Sequence, residues 1–122
     1  MPQKILVVED TVDTRELLHL YLTREDFEVI LAADGGEGLY RAKADRPDLI
    51  ITDINMPNLS GTDMIKQLRE EADFAVLPII ALTAYGKDYS KDAIDAGASA
   101  AVGKPFDFAE LIAQVRALLE SQ

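Results

Sequence analysis

Three short, uninterrupted apolar runs, Ile5 to Val8, Leu49 to Ile51 and Leu77 to Leu82, constrain this chain more than any other feature. They are rich in β-branched residues and carry no polar position on either side. A strand built from them must therefore be covered on both faces, as strands of a parallel sheet are. Phe27 to Leu31 reads as a further strand that Glu28 interrupts, which suits a sheet edge, and Ala100 to Val102 supplies a short last one. Helical spacing fills the intervals: Leu17, Leu18, Tyr21 and Leu22; Leu39, Ala42 and Ala44; Met64, Ile65 and Leu68; Ala93, Ala96 and Ala98. After the last strand, Phe108, Leu111, Ile112, Val115, Leu118 and Leu119 form one apolar stripe, with Asp107 placed as its N-cap. Gly38 inside the second helix costs about 1 kcal/mol relative to alanine.

Five strand–helix alternations without a linker or repeat predict an α/β domain, a doubly wound five-stranded parallel sheet with helices on both faces. At 122 residues the chain is expected to be one domain spanning 1–122. The last helix, ending near Glu120, leaves only Ser121 and Gln122, and no output domain is expected. Without cysteine, a disulfide framework or thiolate metal site is excluded. With 22 acids against 12 bases the net charge is −10, which repels nucleic-acid phosphates, so direct nucleic-acid binding is not expected. Neither a secretion signal nor an 18-residue apolar segment is present, and the expected setting is cytoplasmic, without membrane insertion.

Open α/β sheets bind ligands beyond the carboxyl ends of their strands. There the first run ends in Glu9-Asp10 and the third strand in Thr52-Asp53, so three carboxylates converge if these strands are neighbours. Two unit charges about 4 Å apart repel by roughly 4 kcal/mol at an effective dielectric of 20. A bound cation, a raised carboxyl pKa or a nearby lysine must offset this, and an all-oxygen donor set suits a hard ion such as Mg²⁺. A dinucleotide site would need glycines where Glu9 to Asp13 stand. A G-x-x-x-x-G-K-[ST] loop and a G-x-S-x-G elbow are both missing. Gly35-Gly36-Glu37-Gly38 follows the second strand and reads as a turn entering a helix. Thr83 and Lys104, at the ends of the fourth and fifth strands, add a hydroxyl and a cation to the same edge. Together these groups make a phosphoryl-transfer site around an aspartate nucleophile.

From Lys4 to about Leu119 the chain resembles the receiver domain of two-component response regulators, in the style of single-domain chemotaxis regulators. The motifs are V-V-E-D at Val7 to Asp10, D-I-N-M-P at Asp53 to Pro57 with Gly61 beyond, L-T-A at Leu82 to Ala84, and G-K-P-F at Gly103 to Phe106. The resemblance implies a flavodoxin-like strand order of 2-1-3-4-5. It makes Asp53 the phosphoacceptor and Asp10 a Mg²⁺ ligand, with Glu9 acting through water and Asn55 through its backbone carbonyl. Thr83, Lys104 and the Ala84 N–H would hold the phosphate, and the Lys104-Pro105 bond would be cis. The donor would be a sensor histidine kinase or a histidine phosphotransfer protein, and the phosphorylated form would bind a downstream protein.

One departure stands out. The family pattern places an aromatic three residues before the lysine, where this chain has Ala101. Tyr85, Tyr89 and Phe106 are the nearby aromatics, and any coupling must rest on Thr83 pulling the loop of Ala84, Tyr85 and Gly86. The lone histidine, His19, lies between Leu18 and Leu20 without the neighbours of a phosphodonor, and reads as a helix surface residue. The competing reading is a Mg²⁺ phosphohydrolase of the haloacid dehalogenase type. Against it, Asn55 stands two residues after Asp53 where those enzymes carry an acid, and there is no room for a cap domain. A scaffold without phosphorylation is disfavoured because Glu9, Asp10, Asp53, Thr83 and Lys104 are all present.

Overall fold

The computed structural model describes residues 2–56, 58–84 and 90–121. Five strands, β1 Lys4–Val8, β2 Glu28–Ala32, β3 Leu49–Asp53, β4 Ile79–Thr83 and β5 Ala100–Gly103, alternate with α1 Val12–Arg24, α2 Gly35–Asp45, α3 Gly61–Arg69, α4 Ser90–Ala96 and α5 Phe108–Glu120. A single turn of 3-10 helix, Ala72–Phe74, precedes β4. All strand pairs are parallel, in the order β2-β1-β3-β4-β5.

Alternation along the strands divides the core in two. Leu6, Val8, Ile50, Ile79 and Ala81 face Ala42, Met64, Ile65, Leu68, Ala93 and Ala96 of α2, α3 and α4. Ile5, Val7, Leu49, Ile51, Ile80 and Leu82 face Leu18, Leu22, Leu111, Val115 and Leu119 of α1 and α5. The three central strands are inaccessible on both faces, which is why their sequences read as continuous apolar runs. At the edge, Val29, Ile30 and Leu31 are only half-buried and Glu28 is exposed.

Several expectations shift by a residue or two. Pro78 has no N–H to give to a ladder, so β4 starts at Ile79, although the Pro78 carbonyl still accepts from Ile50 N at 3.0 Å. Phe27 packs into the core from the turn before β2 rather than from the strand. Leu17, Tyr21 and Ala44, placed by spacing on inner helix faces, are exposed; narrower stripes through Leu18, Leu22 and Ala42 suffice. Ala98 lies past the end of α4, beyond Gly97 at φ +121°. Gly38 is a packing requirement: a Cβ there would stand 2.7 Å from Met64 Sδ and 3.0 Å from Val8 Cγ2. The helix offsets its cost at the N-terminus, where Asp34 Oδ1 accepts from Glu37 N and Glu37 Oε1 accepts from Ala33 N, at 2.8 and 2.6 Å. Asp107 caps α5 by accepting from Ala109 N at 2.8 Å.

Candidate functional site

Register brings the acids together. Val8 pairs with Thr52, so Glu9, the next residue, comes level with Asp53; Asp53 pairs with Leu82, and Thr83 with Gly103, which puts Lys104 just beyond. Among the described residues the buried polar side chains are Glu9, Thr52, Asp53 and Thr83, all at this carboxyl edge. Carboxylate oxygens of Glu9, Asp10 and Asp53 lie within 4.8 Å of one another. Glu9 is wholly inaccessible, Asp53 nearly so, and Asp10 is exposed.

Lys104 binds both buried acids, its Nζ donating to Glu9 Oε2 at 3.1 Å and Asp53 Oδ2 at 3.2 Å. The remaining oxygens meet backbone: Thr11 N donates to Glu9 Oε1 at 3.1 Å, and Asn55 N to Asp53 Oδ1 at 3.4 Å. Burial, reinforced by the Asp53 charge, raises the Glu9 pKa above its ordinary 4.5. Burial alone would lower the Lys104 pKa, but the charges of Asp53 and Glu9 outweigh it and hold the amine above its ordinary 10.5. The site thus keeps its lysine charged while one carboxyl resists ionising.

Below Asp53 the chain turns sharply into α3, and Gly61 makes that possible. A Cβ on Gly61 would collide with the Asp53 carbonyl oxygen and stand 2.7 Å from the Ile54 Cα. Thr83 Oγ1 donates to the Val102 carbonyl at 3.4 Å, Lys104 N donates to the Thr83 carbonyl at 2.9 Å, and the Lys104-Pro105 peptide is cis.

A family model described as the response regulator receiver domain matches residues 5–116. The chain belongs to this receiver family. It is 43% identical over 120 residues to the response regulator MprA of Mycolicibacterium vanbaalenii, covering 98% of this chain and 51% of that protein. It is 39% identical over 120 residues to the alkaline phosphatase synthesis transcriptional regulatory protein PhoP of Bacillus subtilis, covering 98% and 49%. The receiver thus spans about half the length of these relatives. A putative response regulator from Chloroflexus aurantiacus superposes with a TM-score of 0.95 at 33% identity, covering 98% of this chain and 99% of that one. Chemotaxis protein CheY4 of Vibrio cholerae does so with 0.89 at 29%, covering 97% and 99%. The receiver fold of strand order 2-1-3-4-5 stands, and the comparisons give the dehalogenase-type reading no support.

Of the residues singled out from sequence, Glu9, Asp10, Asp53 and Lys104 form one cluster. Thr83 is buried at the adjoining strand end, Ala84 is half-buried beside it, and Asn55 is joined to Asp53 through its N–H. His19 is exposed on α1. Ala101 is half-buried and packs toward α4, whereas Phe106 packs on the α1/α5 side. Tyr85, Gly86 and Tyr89 lie outside the described residues, and with them the loop expected to carry the coupling. Arg15 escaped sequence reading: its Nη1 donates to the Glu9 carbonyl at 2.8 Å, tying α1 to the acidic turn. Its one signal was a base placed one turn after Thr11 in an otherwise acidic stretch.

Proposed function

We propose that the receiver accepts a phosphoryl group on Asp53 from a phosphohistidine of a sensor kinase or histidine phosphotransfer protein. The observation that carries this reading is the Asp53 carboxylate at the end of β3, shared between Lys104 and the Asn55 N–H and set beside Glu9 and Asp10. An Asp53 oxygen attacks phosphorus, the bond from phosphorus to the imidazole nitrogen breaks, and the imidazole leaves with the electron pair. Lys104 already faces the reacting oxygens and neutralises charge on the phosphoryl group; the Thr83 hydroxyl and the Ala84 N–H are the other donors assigned to it.

The donor set fits a hard divalent cation. Three carboxylates gather there and Lys104 binds two of them, and the Asn55 carbonyl and solvent would supply further oxygen donors. Glu9, Asp10, Asp53 and Asn55 would hold Mg²⁺, and the ion would supply further charge neutralisation. Burial first and the Asp53 charge second raise the Glu9 pKa despite Lys104, and a second positive charge would favour its ionised form.

Residues 1–122 act in this reading as one receiver domain in the cytoplasm, with self-phosphorylation from small donors and slow self-dephosphorylation as its only activities. Phosphorylation changes binding to a downstream protein. No described helix is long and apolar enough to cross a membrane, and the charge of −10 argues against direct nucleic-acid contact. The test is acetyl phosphate with Mg²⁺ followed by mass spectrometry. One phosphoryl group, labile to base and hydroxylamine, is expected on the wild type and none on Asp53→Asn; stable labelling of the variant would overturn the assignment.

A further inference from the structure

We propose that Tyr21 is a positioning residue for Lys104, acting through a ladder of three rings. Tyr21 on α1 stacks on Phe108, the first residue of α5, with centroids 4.2 Å apart and planes 12° from parallel. Phe108 in turn meets Phe106 edge-on at 5.1 Å and 73°. Phe106 is two residues from Lys104, in the segment that links β5 to α5. These are the ring–ring contacts among the described residues, and they join one exposed helix position to the loop that carries the lysine bound to both buried carboxylates.

The need for such a support follows from the geometry. Lys104 is held on its strand side by its own N–H on the Thr83 carbonyl. On the other side, residues 105–107 make no ladder, and the path of the chain is set where Phe106 and Phe108 pack. Ala101 contributes no ring to this region. Phosphoryl transfer requires the Lys104 amine to leave one or both carboxylates for a phosphoryl oxygen, so its reach from the main chain decides how well it meets the transferring group. Tyr21 is not part of the packed interior. Its side chain is exposed and belongs to neither apolar core, yet its ring lies flat on Phe108. The two helices also meet through Leu18, Leu22, Leu111 and Val115 in the core. Farther along, Arg116 bridges to Glu25 at 2.9 Å and lies 5.2 Å over the Phe27 ring.

The inference rests on the phosphoacceptor reading for its kinetic test but not for its spectroscopic one. Phosphoramidate saturation kinetics with Mg²⁺ should show Tyr21→Leu losing about five-fold in maximal phosphorylation rate, the scale of one aromatic pair, with the donor KM unchanged. Tyr21→Phe, which keeps the ring, should match the wild type, and Phe106→Leu should combine with Tyr21→Leu less than additively. In the unphosphorylated protein, the Lys104 amine ¹⁵N resonance, held by two carboxylates, should persist in the wild type and Tyr21→Phe and weaken in Tyr21→Leu. A Tyr21→Leu protein that loses thermal stability but keeps both the rate and the resonance would overturn the proposal, as would failure of Tyr21→Phe to restore them. Absence of labelling in the wild type would instead sink the phosphoacceptor reading, leaving the resonance to decide the role of Tyr21.

Discussion

The body of the sheet and its carboxyl edge are built on opposite terms. Ile5 to Val8, Leu49 to Ile51 and Ile79 to Leu82 are inaccessible and wholly apolar, whereas immediately beyond them stand Glu9, then Thr52 and Asp53, and Thr83, all buried and polar. Burial stabilises the first group and burdens the second, since a buried carboxylate beside another carries both desolvation and repulsion. The body supplies surplus stability, and the edge holds charge in an arrangement that a bound cation would relieve.

The largest expected break of this contrast lies in the body. Ile51→Ala should lower stability by about 2–5 kcal/mol in denaturant titrations while the folded fraction still labels at Asp53. Labelling lost in a protein that remains folded would show that body and edge are not separable. Next comes the cation: Lys104→Met leaves Glu9 and Asp53 facing each other, and should destabilise the metal-free protein by about 1–3 kcal/mol at pH 7 and slow phosphorylation at least ten-fold.

Glu9→Gln should act in the other direction, raising metal-free stability by about 1 kcal/mol at neutral pH. Because the folded-state pKa of Glu9 lies above 4.5, the folded protein binds more protons than the unfolded chain between 4.5 and that raised value. Wild-type stability without metal should therefore fall as pH rises through this window, and Glu9→Gln should flatten the fall. The Lys104 contribution has the other limit: it is complete below pH 10.5 and is lost as pH climbs through the raised pKa of the amine. Equal slopes for wild type and Glu9→Gln would remove Glu9 as the source. The smallest stability effect belongs to exposed Asp10. Asp10→Asn should gain only a few tenths of a kcal/mol, yet weaken Mg²⁺ binding measured by calorimetry; unchanged affinity would take Asp10 out of the metal site.

Much of this was legible because the chain announces its buried strands. A run such as Ile5-Leu6-Val7-Val8 has no solvent-facing alternative, and the acids at its end are conspicuous for that reason. Strand order was not read from periodicity; it followed from the resemblance that the motifs carry, and with it the convergence of Glu9 and Asp53. What stayed hidden depends on contacts between distant segments. Leu17 and Tyr21 share the helical spacing of Leu18 and Leu22, and only the position of α5 decides that Tyr21 lies on Phe108 rather than in the core. Gly38 looked like a weakness of α2 because its neighbours Met64 and Val8 lie on other elements. Arg15 was invisible as a support because its partner is a carbonyl, which sequence does not label.

The bond between Lys104 and Glu9 spans 95 positions of the chain. A polypeptide emerging from the ribosome exposes Glu9 and Asp10 first, then Asp53 and only later Lys104, so until then the acids lack this counter-charge. Non-local parallel pairing is intrinsically slow, and here the last strand in sequence order also brings the neutralising group. A nascent chain short of β5 therefore presents three mutually repelling carboxylates and no lysine beside them. Such a fragment holds Asp53 without the amine that faces its oxygens. The buried acids and the amine that neutralises them come together only when β5 docks beside β4.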